Sequence, residues 1–125
     1  MNRSVRIIFY GYLAAVFALA VYPLSQPVST SNDKVDHALA FAAFMILGRL
    51  AHLRARTVWL LAVGLLYGLL IEAVQYFVPN RCCSAGDVIA DVVGLAIGAL
   101  LFHSFLRTPG RGHPWFIKLT ARETT

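Results

Sequence analysis

Residues 58–78 read VWLLAVGLLYGLLIEAVQYFV, 21 residues with a single charge, Glu72. A helix needs about 20 apolar residues to cross roughly 30 Å of hydrocarbon, so this stretch decides the class of the chain. Two further runs repeat the pattern. Residues 7–24 hold 18 residues without a charge, and residues 88–106 hold 19 with one acid, Asp91. A fourth run, residues 38–53, is shorter and carries Arg49 and His52 near its end. At 1.5 Å per residue its 16 residues reach about 24 Å, so Arg49 must snorkel or the polar start of the helix must sit within the membrane edge.

Composition agrees with these runs. Of 125 residues, 58% are hydrophobic and 14% charged, and mean hydropathy is +0.67. Soluble domains carry about 25% charge, so this chain cannot cover a surface with polar groups. Disorder needs low hydrophobicity and is excluded as well. The expectation is an all-α integral membrane bundle of four transmembrane helices, spanning about 7–24, 37–53, 57–78 and 86–106. Residues 1–107 form the membrane domain and residues 108–125 a polar tail, whose segment 115–118 can touch the membrane surface. Residues 1–20 also carry marks of a signal peptide, with Arg3 and Arg6, an apolar run, and Ala18, Leu19 and Ala20 as a cleavage-like site. The apolar run continues through Tyr22 to Leu24, which favours a membrane helix.

Net charge is +5, but the basic residues lie between apolar segments and form no basic face, so nucleic acid is not an expected partner. With four spans, Arg3, Arg6, Arg49, Arg54, Arg56, Arg107, Arg111, Lys118 and Arg122 fall on one side, 9 of the 11 basic residues, against Lys34 and Arg81 on the other. Basic loops stay cytoplasmic, so both termini are expected there. Cys82 and Cys83 are adjacent and make neither a metal-ligand spacing nor a disulfide framework.

Five of the six acids, Asp33, Asp36, Glu72, Asp87 and Asp91, gather toward the outer side. On the third helix Gly64, Gly68, Glu72 and Gln75 share a face, and on the fourth Asp87, Asp91, Gly94 and Gly98 do. Each helix thus has glycines below and polar groups above. Small residues four apart allow close approach of membrane helices, so the third and fourth helices are expected to meet along these stripes, with Glu72 near Asp91. Asp36 and His37 open the second helix at the same level, and Phe41, Phe44 and Gly48 continue the His37 face. Intramembrane carboxylates face the bundle interior and seek partners; Arg81, Lys34, His37 and Gln75 are those available. Five acids against two fixed cations predicts a protonated acid or a bound cation. Packing is the plain alternative, with Glu72 and Gln75 as cross-helix glue, Asp87 favouring the start of its helix and Ser84 as N-cap. Tyr22, Trp59 and Tyr76 fit interfacial anchors; His52, His103 and His113 read as interfacial or tail histidines.

The ordered set Asp33, Lys34, His37, then Glu72, Gln75, then Arg81, Ser84, Asp87, followed by Asp91, Gly94 and Gly98, resembles the VanZ-like family of small bacterial membrane proteins. The likeness covers roughly residues 33–100. Asp91 departs from it, because the family more often has Asn there, and the paired cysteines before Ser84 are unusual. The resemblance implies a multi-pass protein of the bacterial plasma membrane and a cell-envelope role linked to the glycopeptide teicoplanin, with no reaction assigned. Three functions compete. The first is a non-enzymatic protein whose polar cluster binds an outer-leaflet or lipid-linked envelope ligand. The second is an enzyme on such a substrate, with a carboxylate base, His37 as acid, Arg81 on a phosphate, and a divalent metal conceivable on Glu72, Asp87 and Asp91. The third is a small proton-coupled transporter subunit, for which a homo-oligomer would supply room. The expected partners are the bilayer, that ligand and further copies of the chain. No metal motif or cofactor motif is present, so neither group is expected.

Overall fold

The computed structural model describes residues 3–23, 30–81 and 83–106. The expected end of the first span at Leu24, the loop through residue 29, Cys82 and the tail from residue 107, with residues 115–118 and His113, lie outside the described residues. Those described form four helices and no strand: α1 (Arg3–Val21), α2 (Thr30–Ala51), α3 (Thr57–Gln75) and α4 (Ala85–Leu101), which runs into a short π-helical turn at Phe102–Leu106.

The helix limits differ from the apolar runs for identifiable reasons. Arg3 and Arg6 lie within α1, since neither opposes helix formation. The second helix begins seven residues before the expected 37. Its polar opening, with Asp33 in the first turn, suits a helix N-terminus better than a loop, because a carboxylate there complements the helix dipole. By contrast α3 stops at Gln75, short of residue 78. Tyr76, Phe77 and Val78 enter a turn toward Pro79, where Asn80 takes a left-handed conformation with φ of 60°. Glu72 is therefore three residues, about 4.5 Å, from the end of its helix, closer than the 58–78 run suggested.

Three helical stretches, Arg3–Val21, Thr57–Gln75 and Ala85–Phe105, are long and apolar enough to cross a membrane. At 22 residues α2 is the longest helix but is more polar. α2 touches each of the other three helices, and Phe41, Phe44 and Met45 are its fully enclosed side chains. Its polar residues lie mostly in the opening, residues 30–37, ahead of the apolar run. Phe9, Leu60, Ile71 and Leu95 complete the core from the other helices. Many apolar side chains instead point outward, including Ile7, Leu19, Val58, Leu66, Ile89 and Leu100, as expected where lipid is the solvent.

The most extensive helix contact is between α2 and α4. A side chain added at Gly94 would strike the Ala38 carbonyl, and one at Gly98 the Ala42 carbonyl. The Gly94 and Gly98 stripe therefore receives α2 and not α3, which revises the expectation that α3 and α4 meet through paired glycine stripes. Gly64 and Gly68 do face α4, but they accept side chains: Leu95 and Phe44 fill the space at Gly64, Asp91 and Phe41 that at Gly68. Tyr12 donates to the Ala40 carbonyl and Tyr67 to the Leu13 carbonyl, each at 2.6 Å, tying α1 to α2 and to α3.

At the basic end Arg49 is buried, donates to the Ala55 carbonyl across the α2–α3 turn, and lies 4.9 Å from the centre of the Phe102 ring. Its burial inside this turn replaces the expected snorkelling. His52, half-buried, lies 3.3 Å from the Tyr10 hydroxyl and edge-on to Phe9.

Candidate functional site

The opposite end of the bundle gathers the C-termini of α1 and α3 and the N-termini of α2 and α4. His37 stands in the middle. It follows the polar opening of α2 by one turn, and its ring reaches α4 and α3 together. Nδ1 is 2.8 Å from Asp91 Oδ1, and Nε2 is 3.9 Å from Glu72 Oε1. A proton on Nδ1 donates to Asp91, and one on Nε2 faces Glu72. Asp91 is 1% exposed and Glu72 8%. Gly68 creates the space for Asp91, because a side chain there would collide with its Oδ2. Glu72 and Asp91 thus share His37 between them.

The second polar link also joins α2 to α4. Lys34 Nζ lies 3.4 Å from Asp87 Oδ1, with the lysine stem lying over Gly86. Ser84 is the N-cap residue of α4, and its backbone N–H donates to Asp87 Oδ2 at 3.0 Å. Asp87 therefore serves a helix start and a lysine at once. A carboxylate at this position satisfies one of the N–H groups that a helix N-terminus leaves open.

Arg81 and Gln75 take partners other than the acids. Arg81 donates from Nη2 to the Leu19 carbonyl at 2.6 Å and from Nε to the Tyr22 carbonyl at 3.3 Å. Gln75 Nε2 donates to the Ala20 carbonyl at 3.1 Å. The last carbonyls of a helix have no partner within it, and these two side chains cap α1 from α3 and the loop after it. Arg81 and Gln75, two of the partners available to Glu72 and Asp91 by sequence, thus bond backbone carbonyls of α1 and its end instead. Residue sequence carries no signal for a backbone acceptor, so this use of both side chains was not legible there.

The accounts do not close for every polar atom. Among the described residues, both oxygens of Glu72, Oδ2 of Asp91, Oε1 of Gln75 and Oγ of Ser84 are buried without a hydrogen-bond partner. The Ser84 backbone N–H also acts on the Glu72 carboxylate, though not with hydrogen-bond geometry. Among the described residues, clefts flank the cluster on two sides. One, of about 300 Å³, lies among α1, α2 and α3 and brings together Asp33, Asp36, His37, Gln75 and Arg81. The other, of about 540 Å³, opens between α3 and α4 and reaches Glu72 and Ser84. Asp36 is exposed and Asp33 half-buried, so the two line the first cleft without entering the core. No group of three His, Cys, Asp or Glu side chains among the described residues could hold a metal ion, so the geometry gives no support to a metal on Glu72, Asp87 and Asp91.

A small helical bundle with apolar outer faces and a buried carboxylate–imidazole–carboxylate array at one end is a membrane protein. Its family follows from the sequence: the family described as VanZ/LLP1 matches residues 9–107, and the chain belongs to this VanZ-like family. No curated protein and no solved structure matches the chain.

Proposed function

We propose that the protein is a multi-pass component of the bacterial plasma membrane, with α2 as the fourth span and both termini cytoplasmic. In this reading the polar cluster faces the outer leaflet and binds a lipid-linked or other amphiphilic ligand of the cell envelope. An altered susceptibility to teicoplanin is the associated phenotype. The observation that carries the reading is Glu72, buried beside His37 with neither oxygen hydrogen-bonded among the described residues. Leaving a charged or polar group unsatisfied is costly, and packing alone offers no return for it. A ligand that donates to this carboxylate supplies one.

A second reading has its own support. His37 faces a carboxylate with each ring nitrogen, an arrangement suited to passing a proton between Asp91 and Glu72. A subunit of a small proton-coupled transporter would use it so. The test of the first reading is teicoplanin susceptibility of a sensitive host carrying vector, wild type or Glu72→Gln at matched membrane levels. Protection by wild type alone is expected. Proton-coupled flux in proteoliposomes, lost in His37→Gln, would favour the second.

A further inference from the structure

The cations around Glu72 are already engaged. Lys34 is paired with Asp87, His37 Nδ1 with Asp91, and Arg81 with the carbonyls of α1. His37 Nε2, at 3.9 Å, is beyond hydrogen-bond reach of the Glu72 carboxylate. The Glu72 carboxylate is thus left without a hydrogen-bond donor among the described residues, and a ligand that brings one completes the site.

The surroundings say what else that donor must carry. Glu72 lines the cleft of about 540 Å³ between α3 and α4, whose walls include Ala73, Tyr76, Phe77, Cys83, Ser84 and Val88. Except for Glu72, Ser84 and the Cys83 thiol these walls are apolar or aromatic, and Tyr76 and Phe77 stand 73% and 82% exposed just past the end of α3. Hydrocarbon is needed against Ala73 and Val88, and aromatic faces attract an ammonium group. A soluble cation supplies the charge but no hydrocarbon, and a quaternary ammonium brings charge but no N–H.

We propose that the α3–α4 cleft seats the headgroup of an outer-leaflet aminophospholipid, its primary ammonium donating to the buried Glu72 carboxylate and its upper chain lying along Ala73 and Val88. This rests on reading the cluster as a ligand site, and it names the ligand class. The amine of an aminophospholipid supplies three N–H donors, enough for both carboxylate oxygens.

The test uses the full chain reconstituted in vesicles of equal amounts of phosphatidylethanolamine, phosphatidylcholine and phosphatidylglycerol, then extracted in mild detergent. The lipid that remains bound is measured by mass spectrometry. Wild type is expected to retain phosphatidylethanolamine about tenfold over phosphatidylcholine, the size that one charge-assisted hydrogen bond supports. Glu72→Gln should lose the preference. Ala73→Trp, which fills the cleft from an exposed position and leaves Glu72 intact, should lose the bound lipid and keep the wild-type melting temperature. Equal retention of the two zwitterionic lipids overturns the proposal, as does a preference that survives Glu72→Gln. Retention of phosphatidylglycerol above phosphatidylethanolamine also overturns it, since a hydroxyl lipid would then be the occupant. Should Glu72→Gln fail to fold, Ala73→Trp decides. If Glu72→Gln abolishes teicoplanin protection while wild type shows no amine preference, the ammonium ligand is wrong and the cluster reading stands.

Discussion

His37 of α2 and Asp91 of α4 meet at 2.8 Å across the most extensive helix contact among the described residues, and Asp91 Oδ2 has no hydrogen-bond partner there. Removing one member of a buried pair leaves an uncompensated group, which costs about 3–5 kcal/mol. His37→Ala should therefore lower stability by that order. Asp91→Asn, which keeps an acceptor for His37 and removes the charge, should cost much less. Thermal unfolding in detergent checks both, and a larger loss in Asp91→Asn than in His37→Ala would contradict the pairing.

The α2–α4 contact gives a second expectation. An alanine at Gly94 would press on the Ala38 carbonyl, a backbone atom that cannot swing aside. Overpacking of this kind costs about 1–3 kcal/mol. Gly11→Ala, where no heavy atom of the described residues lies within 4 Å, should be neutral or slightly stabilising through helix propensity. Melting temperatures of the two variants should separate accordingly.

The Lys34–Asp87 link should respond unequally to loss of its two ends. Lys34 is 42% exposed in its side chain and Asp87 2%. A half-exposed ion pair is worth about 0–1 kcal/mol, so Lys34→Gln should be mild. Asp87→Ala removes the acceptor for the Ser84 N–H as well, and loss of a helix-start partner costs about 0.5–2 kcal/mol. The second variant should melt lower than the first.

How the sequence foretold these features depends on what kind of contact each is. The helices and the gathering of polar side chains at one end of the bundle were legible, because 20-residue apolar runs and i, i+4 spacing follow from helix geometry alone. So were Ser84 and Asp87 at the start of α4. The partners were less so. His37, Lys34, Gln75 and Arg81 were all equal candidates for Glu72 and Asp91, and only tertiary structure shows that Arg81 and Gln75 turn to the carbonyls of Leu19, Ala20 and Tyr22. The glycine stripe on α4 was visible, but not that α2 would occupy it, since a stripe of small residues records closeness without naming the neighbour. The early start of α2 at Thr30 was missed because a polar segment outside an apolar run looks like a loop.

Orientation has a direct chemical handle. Cys83 is exposed and lies between Arg81 and Ser84, at the polar-cluster end. With both termini cytoplasmic, a membrane-impermeant maleimide should label Cys83 in spheroplasts of a Cys82→Ser variant, with no need to open the cells. Labelling only after permeabilisation would invert the proposed topology.

The buried carboxylate beside His37 is proposed to do more than hold helices together. The most direct measurement is teicoplanin susceptibility for vector, wild type, Glu72→Gln and Gly11→Ala at matched membrane levels, read alongside melting temperatures. Wild type and Gly11→Ala should protect equally, and Glu72→Gln should fall to the vector level while melting as wild type does. Equal protection by Glu72→Gln and wild type would contradict the claim and leave Glu72 a packing residue.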